Sequence, residues 1–108
     1  MPSFTPQAGN ASVVATGGTQ VIAVNAVSTG IGGGYITNPF TAADQGLSAT
    51  EPLYVSIAGA ATLNANGTTV ALQPGQSFVL PAGQNSATSV NATSSGHKFT
   101  VVFWLPAA

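Results

Sequence analysis

Charged side chains are nearly absent from this sequence. Its 108 residues include one Lys or Arg, which is Lys98, two acidic residues, Asp44 and Glu51, and one histidine, His97. A chain with a single cationic side chain cannot neutralise a phosphate backbone by counterion release, so we expect no nucleic-acid partner. Surface charge normally keeps soluble proteins apart. Its scarcity points either to a neutral surface of amides and hydroxyls or to a surface packed against other subunits.

Cysteine and long apolar runs are also missing. Without Cys the chain has no disulfide, no thiolate metal site and no cysteine nucleophile. No stretch approaches the roughly 18 consecutive apolar residues of a membrane-spanning helix, so we expect no membrane partner. The N-terminal sequence MPSFTPQAGNASVV has neither the basic segment nor the continuous apolar segment of a secretory signal, and we expect no unassisted export.

What is present favours β-structure. The sequence has 13 Gly and 7 Pro and is rich in Val, Ile and Thr, whereas Leu, Glu, Lys, Arg and Met are scarce. A chain of this length supports one compact core. We therefore predict a single all-β domain, a β-sandwich or jelly-roll-like fold, with about seven or eight short strands and no helix longer than roughly two turns.

Residues 1–19 are interpreted as an extended N-terminal arm, and residues 20–108 as the β-sandwich domain. The arm contains Pro2, Pro6, Gly9, Gly17 and Gly18 among small polar residues, a composition that predicts at most a short strand at Ser12–Thr16. Such an arm has no core of its own. It is expected to pack either on its own domain or on a neighbouring subunit.

Several strands can be assigned within the domain. Strands are predicted at Gln20–Val27, Leu53–Ile57, Ser77–Leu80 and Lys98–Leu105, and a hairpin is predicted where ATL and TTVAL flank Asn64–Gly67. Ten apolar residues are expected to be largely buried: Val21, Val24, Leu53, Val55, Leu72, Phe78, Leu80, Phe99, Val101 and Phe103.

Three sequence motifs suggest catalysis or binding, and each has a structural interpretation that fits better. The glycine-rich STGIGGG lacks the following helix of a phosphate loop, because YITNPF comes next and Pro39 opposes helix continuation. Asp44 and Glu51 are interpreted as a turn residue and a polar strand start rather than a glycosidase pair. A relay of His97 with Ser94 or Ser95 and Asp44 lacks a nucleophile-elbow sequence, so His97 is interpreted as a turn histidine bonded to backbone.

The run from Gly75 to Ser86, GQSFVLPAGQNS, is similar to the second cupin motif. Ser86 occupies the position at which that motif has a metal-binding histidine, and the upstream His-x-His cluster of cupins is absent. The resemblance therefore implies a jelly-roll-like hairpin without the metal. A single imidazole cannot assemble a usual transition-metal site, so we predict no catalytic centre and no cofactor, and the chain is not expected to be an enzyme.

Over most of its length the chain resembles small structural proteins of tailed bacteriophages. The resemblance is carried by FTPQAGNAS, ITNPFTAADQGL, EPLYV, LQPGQSF and SSGHKFTVVFW. It implies a virion accessory protein, either a capsid decoration or cement protein or a small fibre-type component, which forms homo-oligomers and binds subunits such as a major capsid protein. The alternative is a carbohydrate- or receptor-binding module in which Trp104, Tyr35 or Tyr54 stacks on sugar, although Trp104 also suits core or interface packing.

Overall fold

The computed structural model describes the backbone of residues 4–106 and the side chains from Val14 to Pro106. It contains eight strands and one short helix, which are β1 (Phe4–Ala15), β2 (Val21–Val24), β3 (Gly33–Thr37), α1 (Ala42–Gln45), β4 (Leu53–Ser56), β5 (Val70–Leu72), β6 (Ser77–Leu80), β7 (Thr88–Ala92) and β8 (His97–Pro106). The prediction of an all-β domain whose helices are no longer than two turns is confirmed.

The strands form two four-stranded sheets with a jelly-roll order. The first sheet runs β1-β8-β3-β6 and the second runs β2-β7-β4-β5. The first strand pairs with the last, the second with the seventh, the third with the sixth and the fourth with the fifth, all antiparallel. This pairing arises when one long hairpin folds over on itself. It is characteristic of a jelly roll and does not occur in a simple meander.

The core lies between the two sheets. Seven of the ten residues expected to be buried are buried, and Val21, Phe78 and Phe103 are instead partly buried and packed against the core. On β8 the alternation of side chains directs Phe99 and Val101 inward. Because β8 lies between β1 and β3, this strand is central to the first sheet, as its sequence indicated.

The N-terminal segment forms more β-structure than predicted. The expectation of at most a short strand at Ser12–Thr16 was wrong, because β1 spans Phe4–Ala15 and pairs with β8 from Phe4–Pro106 to Ala15–His97. The register shifts twice along this pair, between Gln7 and Asn10 and again before Val13. Such shifts accommodate irregular strand sequences, including one that contains a proline on an edge strand. Residues 1–3 of the predicted arm lie outside the described residues.

The predicted hairpin around Asn64–Gly67 was wrong. Residues 61–63 form no strand, and β5 pairs with β4, in which Leu53 faces Leu72 and Val55 faces Val70. The connection between β4 and β5 is therefore a long loop, residues 57–69. The turn that follows β6 does not close a hairpin either, because β6 and β7 belong to different sheets.

The link between β3 and β4 contains the helix α1. Thr41 caps its N-terminus, where the side-chain oxygen accepts a hydrogen bond from the Asp44 backbone N–H at 3.1 Å. Gly46 ends the helix in the left-handed conformation with φ 74°. Asp44 therefore lies within a helical turn rather than in the predicted Asx-type turn. The connection leads from the first sheet to the second, and we call its residues 38–51 link 38–51.

Candidate functional sites

The outer face of the first sheet carries an apolar row that crosses three strands. Val79 of β6 faces Tyr35 of β3, and Tyr35 faces Val102 of β8. Val79 is 74% exposed and Tyr35 is 39% exposed, so the row is open to solvent at the β6 edge. Next to it, Thr37 and Ser77 pair across the same strands and their hydroxyls lie 2.6 Å apart. We call Tyr35, Thr37, Ser77, Val79 and Val102 the open face.

Trp104 extends the open face over a glycine. It lies opposite Gly33 in the β3–β8 register, and a Cβ at Gly33 would be 3.0 Å from the indole Cζ2. The indole is only partly buried. Tyr35 lies two residues beyond Gly33 on the same face, so the two aromatic rings are diagonal neighbours across the strand pair. The open face thus presents two adjacent aromatic side chains.

The outer face of the second sheet is covered in part by the chain itself. Loop 57–69 lies over it, because the Ala61 backbone N–H donates to Ser89 Oγ at 2.8 Å and the Ala61 carbonyl accepts from Asn91 Nδ2 at 3.2 Å. Thr68 also lies 2.8 Å from Ser56, hydroxyl to hydroxyl. Ser56, Ser89 and Asn91 are consequently buried although they belong to the outward set of strand positions. The two sheets therefore differ in what their outer faces offer to a partner.

A groove of about 330 Å³ remains between this loop and β2. Its lining is neutral, without a charged or aromatic side chain, and consists of Gln20, Ile22, Gly59, Ala60, Ser86, Ala87 and Ser89. Ser86, the residue at the cupin histidine position, donates its hydroxyl hydrogen to the Ile57 carbonyl. Its side chain thus fastens the start of the loop.

A cluster of polar side chains is buried where link 38–51 meets the start of β8. Asn38, Gln45 and His97 are fully buried. Asn38 Nδ2 donates to the carbonyls of Glu51 at 2.9 Å and Leu72 at 2.8 Å, which fixes the orientation of the amide. Its oxygen accepts from Gln45 Nε2 at 3.0 Å and lies 2.8 Å from His97 Nε2. That histidine nitrogen is therefore the one that carries hydrogen.

Gln45 and Glu51 complete the cluster. Gln45 Oε1 accepts from the Glu51 backbone N–H at 2.9 Å, and Gln45 Nε2 also donates to the Pro39 carbonyl at 2.9 Å. The carboxylate of Glu51 accepts from Ser94 Oγ at 2.6 Å through Oε2. We call Asn38, Gln45, Glu51, Ser94 and His97 the Asn38 cluster.

Two atoms of the Asn38 cluster have no hydrogen-bond partner among residues 4–106. They are Oε1 of Glu51 and Nδ1 of His97, and both are buried. Burial lowers the pKa of the His97 imidazole below its ordinary value, and the negative charge of Glu51 raises the pKa by less. His97 is therefore a neutral, buried residue held by a side chain, not the turn histidine bonded to backbone that the sequence suggested.

The structure does not assemble the serine relay. Ser94 donates to Glu51 rather than to His97, and His97 points Nε2 at Asn38. Asp44 is exposed on α1. A serine nucleophile needs the imidazole at its own oxygen, and this arrangement does not provide it. The glycine-rich segment leads directly into β3 and not into a helix, so it does not cradle a phosphate by the helix-terminus arrangement.

The described residues include neither a metal-binding cluster nor a membrane-spanning helix. No three His, Asp or Glu side chains are close enough together there to hold a metal ion. Within residues 4–106 no helix is long and apolar enough to cross a membrane. No protein-family model, curated protein or solved structure matches the chain.

Proposed function

We propose that this chain is a virion structural accessory protein, a capsid decoration or cement protein or a small fibre-type component that binds neighbouring subunits through uncharged surfaces. The observation that carries the proposal is the open face. Val79, Tyr35 and Val102 form an apolar row in register, while loop 57–69 covers part of the outer face of the other sheet and leaves Ile22 exposed on β2. Jelly rolls serve in viral capsid proteins, and also in lectins and cupins, so the fold supports the proposal by analogy alone.

The physics of the open face favours protein contact. An exposed apolar residue gains roughly 25 cal/mol per Å² of apolar surface removed from water, and interface cores are depleted in charge. The neighbouring hydroxyls of Thr37 and Ser77 share one hydrogen bond, which leaves one hydroxyl hydrogen to donate to a partner. The partners we propose are further copies of this chain and a major capsid protein.

The N-terminal segment offers a second surface to a neighbouring subunit. β1 is an edge strand of the first sheet, with β8 on one side. An edge strand presents backbone N–H and C=O groups that can pair with a strand of a neighbouring subunit. Deletion of residues 2–16 would remove this edge, but it would also uncover β8, so substitutions on the open face give a cleaner test.

The test compares two exposed strand valines. Val79→Lys places a charge on the most exposed residue of the open face, at the β6 edge, and Val70→Lys places the same charge on β5 of the second sheet, where the valine is 42% exposed. Sedimentation velocity across a range of concentrations should show self-association of the natural protein, its loss in Val79→Lys and its retention in Val70→Lys. The association should persist in 1 M NaCl, since it depends on apolar burial and neutral hydrogen bonds.

Two results would contradict the proposal. One is a natural protein that stays monomeric at every concentration and does not co-sediment with capsids of the virus whose gene cluster encodes it. The other is equal association of the natural protein and the Val79→Lys variant. Circular dichroism of each variant would establish that the folds match before association is compared.

A carbohydrate-binding module is the second candidate, and one observation favours it. Tyr35 and Trp104 occupy diagonal positions across β3 and β8 on the outer face of the first sheet, and a sugar ring would stack on these two aromatic side chains. A glycan array should then show binding that Tyr35→Ala removes. Tyr54→Ala is the matched control, because Tyr54 belongs to β4 in the second sheet. Absence of binding to every glycan would remove this candidate.

A further inference from the structure

The Asn38 cluster fastens a connection between the two sheets. Asn38 and Glu51 mark the ends of link 38–51, and both are tied together by Gln45 and by the Asn38 amide. His97 and Ser94 hold the link to the start of β8. The link also carries Phe40, which is 74% exposed and lies beside Gly75. These side-chain hydrogen bonds act together with backbone bonds that join Asn38 to Gln76 and Gly75, and the two sets hold the segment that carries Phe40.

Only one member of the cluster gains charge near neutral pH, and it is also the only histidine in the chain. Because Nε2 already carries the hydrogen that points at Asn38, an added proton must go to Nδ1. Nδ1 is buried and has no hydrogen-bond partner within the part of the chain that the structure describes. The imidazolium would therefore be a buried charge whose new N–H is unsatisfied, which is costly.

We propose that link 38–51 is an acid-released latch: protonation of His97 weakens the Asn38 cluster and frees the link, together with Phe40, from the rest of the domain. The latch operates within one chain, whatever that chain binds. Its consequence is a surface at Phe40 that is ordered at neutral pH and loosened by mild acid. The lowered pKa of His97 agrees with this direction.

The charges around His97 do not reverse the effect. Glu51 is the charged group that acts on the imidazole, and its attraction is smaller than the cost of burial. Asp44 is exposed on α1, which packs near β8. Lys98 is also exposed, and its side chain lies beside Gly46 at the end of α1, where a Cβ would be 3.3 Å from Lys98 Cε. On β1, the residue that faces His97 is Ala15, which carries no charge. Among the described residues, Glu51 is therefore the charged group that affects the protonation of the imidazole.

The sign of the pH dependence follows from the two states of the chain. In the unfolded or released chain the imidazole has its ordinary pKa of about 6.5, whereas in the closed latch the pKa is lower. The open form thus binds more protons between these two pKa values, and closure is fully favoured only above about pH 6.5. As pH falls through this window, the closing equilibrium weakens by up to about tenfold per pH unit, and it levels off below the lower pKa.

Amide hydrogen exchange followed by mass spectrometry tests the release directly. After correction for the intrinsic rate, peptides covering link 38–51 should exchange faster at pH 5 than at pH 7.5, while peptides covering β7 should change little. Asp44→Asn is the matched control, because it removes an exposed acid from the same link and should keep the pH dependence. His97→Gln retains an N–H donor but cannot titrate, and it should remove the dependence.

A second measurement does not require a folded variant. The natural chain has one imidazole, so its ring C–H signals can be followed by NMR without assignment of other residues. The titration midpoint should be lower in the folded protein than in the same protein in urea. A folded midpoint equal to or above the unfolded one would overturn the proposal. An equal rise in exchange over link 38–51 and β7 would also overturn it, because that result is global unfolding.

Discussion

The indole of Trp104 lies over the backbone of Gly33, so close that a Cβ at the glycine would be 3.0 Å from the ring. Gly33 also has φ of 141°, which L-residues with a side chain rarely adopt. Both conditions meet at the first residue of β3. The glycine is therefore needed twice, once for its backbone conformation and once for the aromatic side chain that covers it.

Gly33→Ala should accordingly lower the free energy of unfolding by more than strain alone. We expect a loss of about 2–4 kcal/mol from backbone strain together with the displaced indole. Gly18→Ala is the matched control, because Gly18 has φ of 73° but nothing within 4 Å of the added methyl group. Urea denaturation of both variants checks the difference. Equal losses would show that contact with Trp104 adds nothing.

Replacement of Phe99 should have the largest effect among the core aromatics. Its side chain is fully buried in the central strand β8, so Phe99→Ala should cost about 3–5 kcal/mol through lost burial and a cavity. Phe103, four residues further along β8 on the same face, is only partly buried, and Phe103→Ala should cost less. Thermal melts of the two variants would contradict this order if Phe103→Ala had the lower midpoint.

Asn38→Ala should destabilise the domain although it removes no apolar contact of note. The change leaves the Leu72 carbonyl without the donor at 2.8 Å and removes the acceptor of His97 Nε2. Each buried group left unsatisfied costs about 1–3 kcal/mol, so we expect a total of about 2–5 kcal/mol. Asn85 is exposed, and Asn85→Ala should change stability by less than about 0.5 kcal/mol. Chemical denaturation would show whether the two asparagines differ.

Loop 57–69 should be loosened around Ala61 by the loss of either hydrogen bond that this residue makes to β7. Ser89→Ala removes the acceptor of the Ala61 N–H, and Asn91→Ala removes the donor to the Ala61 carbonyl. Hydrogen exchange in the loop should rise in both variants, while exchange in β3 should remain unchanged. Ser95→Ala, which alters an exposed serine, serves as the control. A loop that stays protected in both variants would show that its other contacts, which include the hydrogen bonds Ser86–Ile57 and Ser56–Thr68, are sufficient to hold it.

Strands were predicted correctly from this sequence where the local pattern of side chains was sufficient to identify them. The predicted strand Ser77–Leu80 has the same bounds as β6. The alternation of side chains in β8 identified its inward face, because successive side chains of a strand point to opposite faces of the sheet. The hairpin around Asn64–Gly67 failed for the opposite reason. Its turn residues suit a hairpin, but β5 gains more by pairing with β4, and tertiary pairing overrides a local turn signal.

The Asn38 cluster could not be predicted from the sequence. Asn38 and Gln45 are polar residues near a proline and a short helix, a pattern that is typical of exposed turns. Only the folded chain shows that both side chains are fully buried beside His97, a residue distant in sequence. The contact between Ser94 and Glu51 was not predicted either, since the only partner considered for Ser94 was His97. Long-range hydrogen bonds leave no mark in local patterns.

The pairing of β1 with β8 has a consequence for the order of events during synthesis. β8 lies between β1 and β3, so the first sheet lacks an inner strand until residues 97–106 have left the ribosome. Until then β1 has no partner within its sheet. Contacts between distant parts of a chain also slow folding, because loop closure must precede them. The first sheet of this domain is therefore completed only when β8 has been synthesised, and β1 stays unpaired and open to wrong contacts until then.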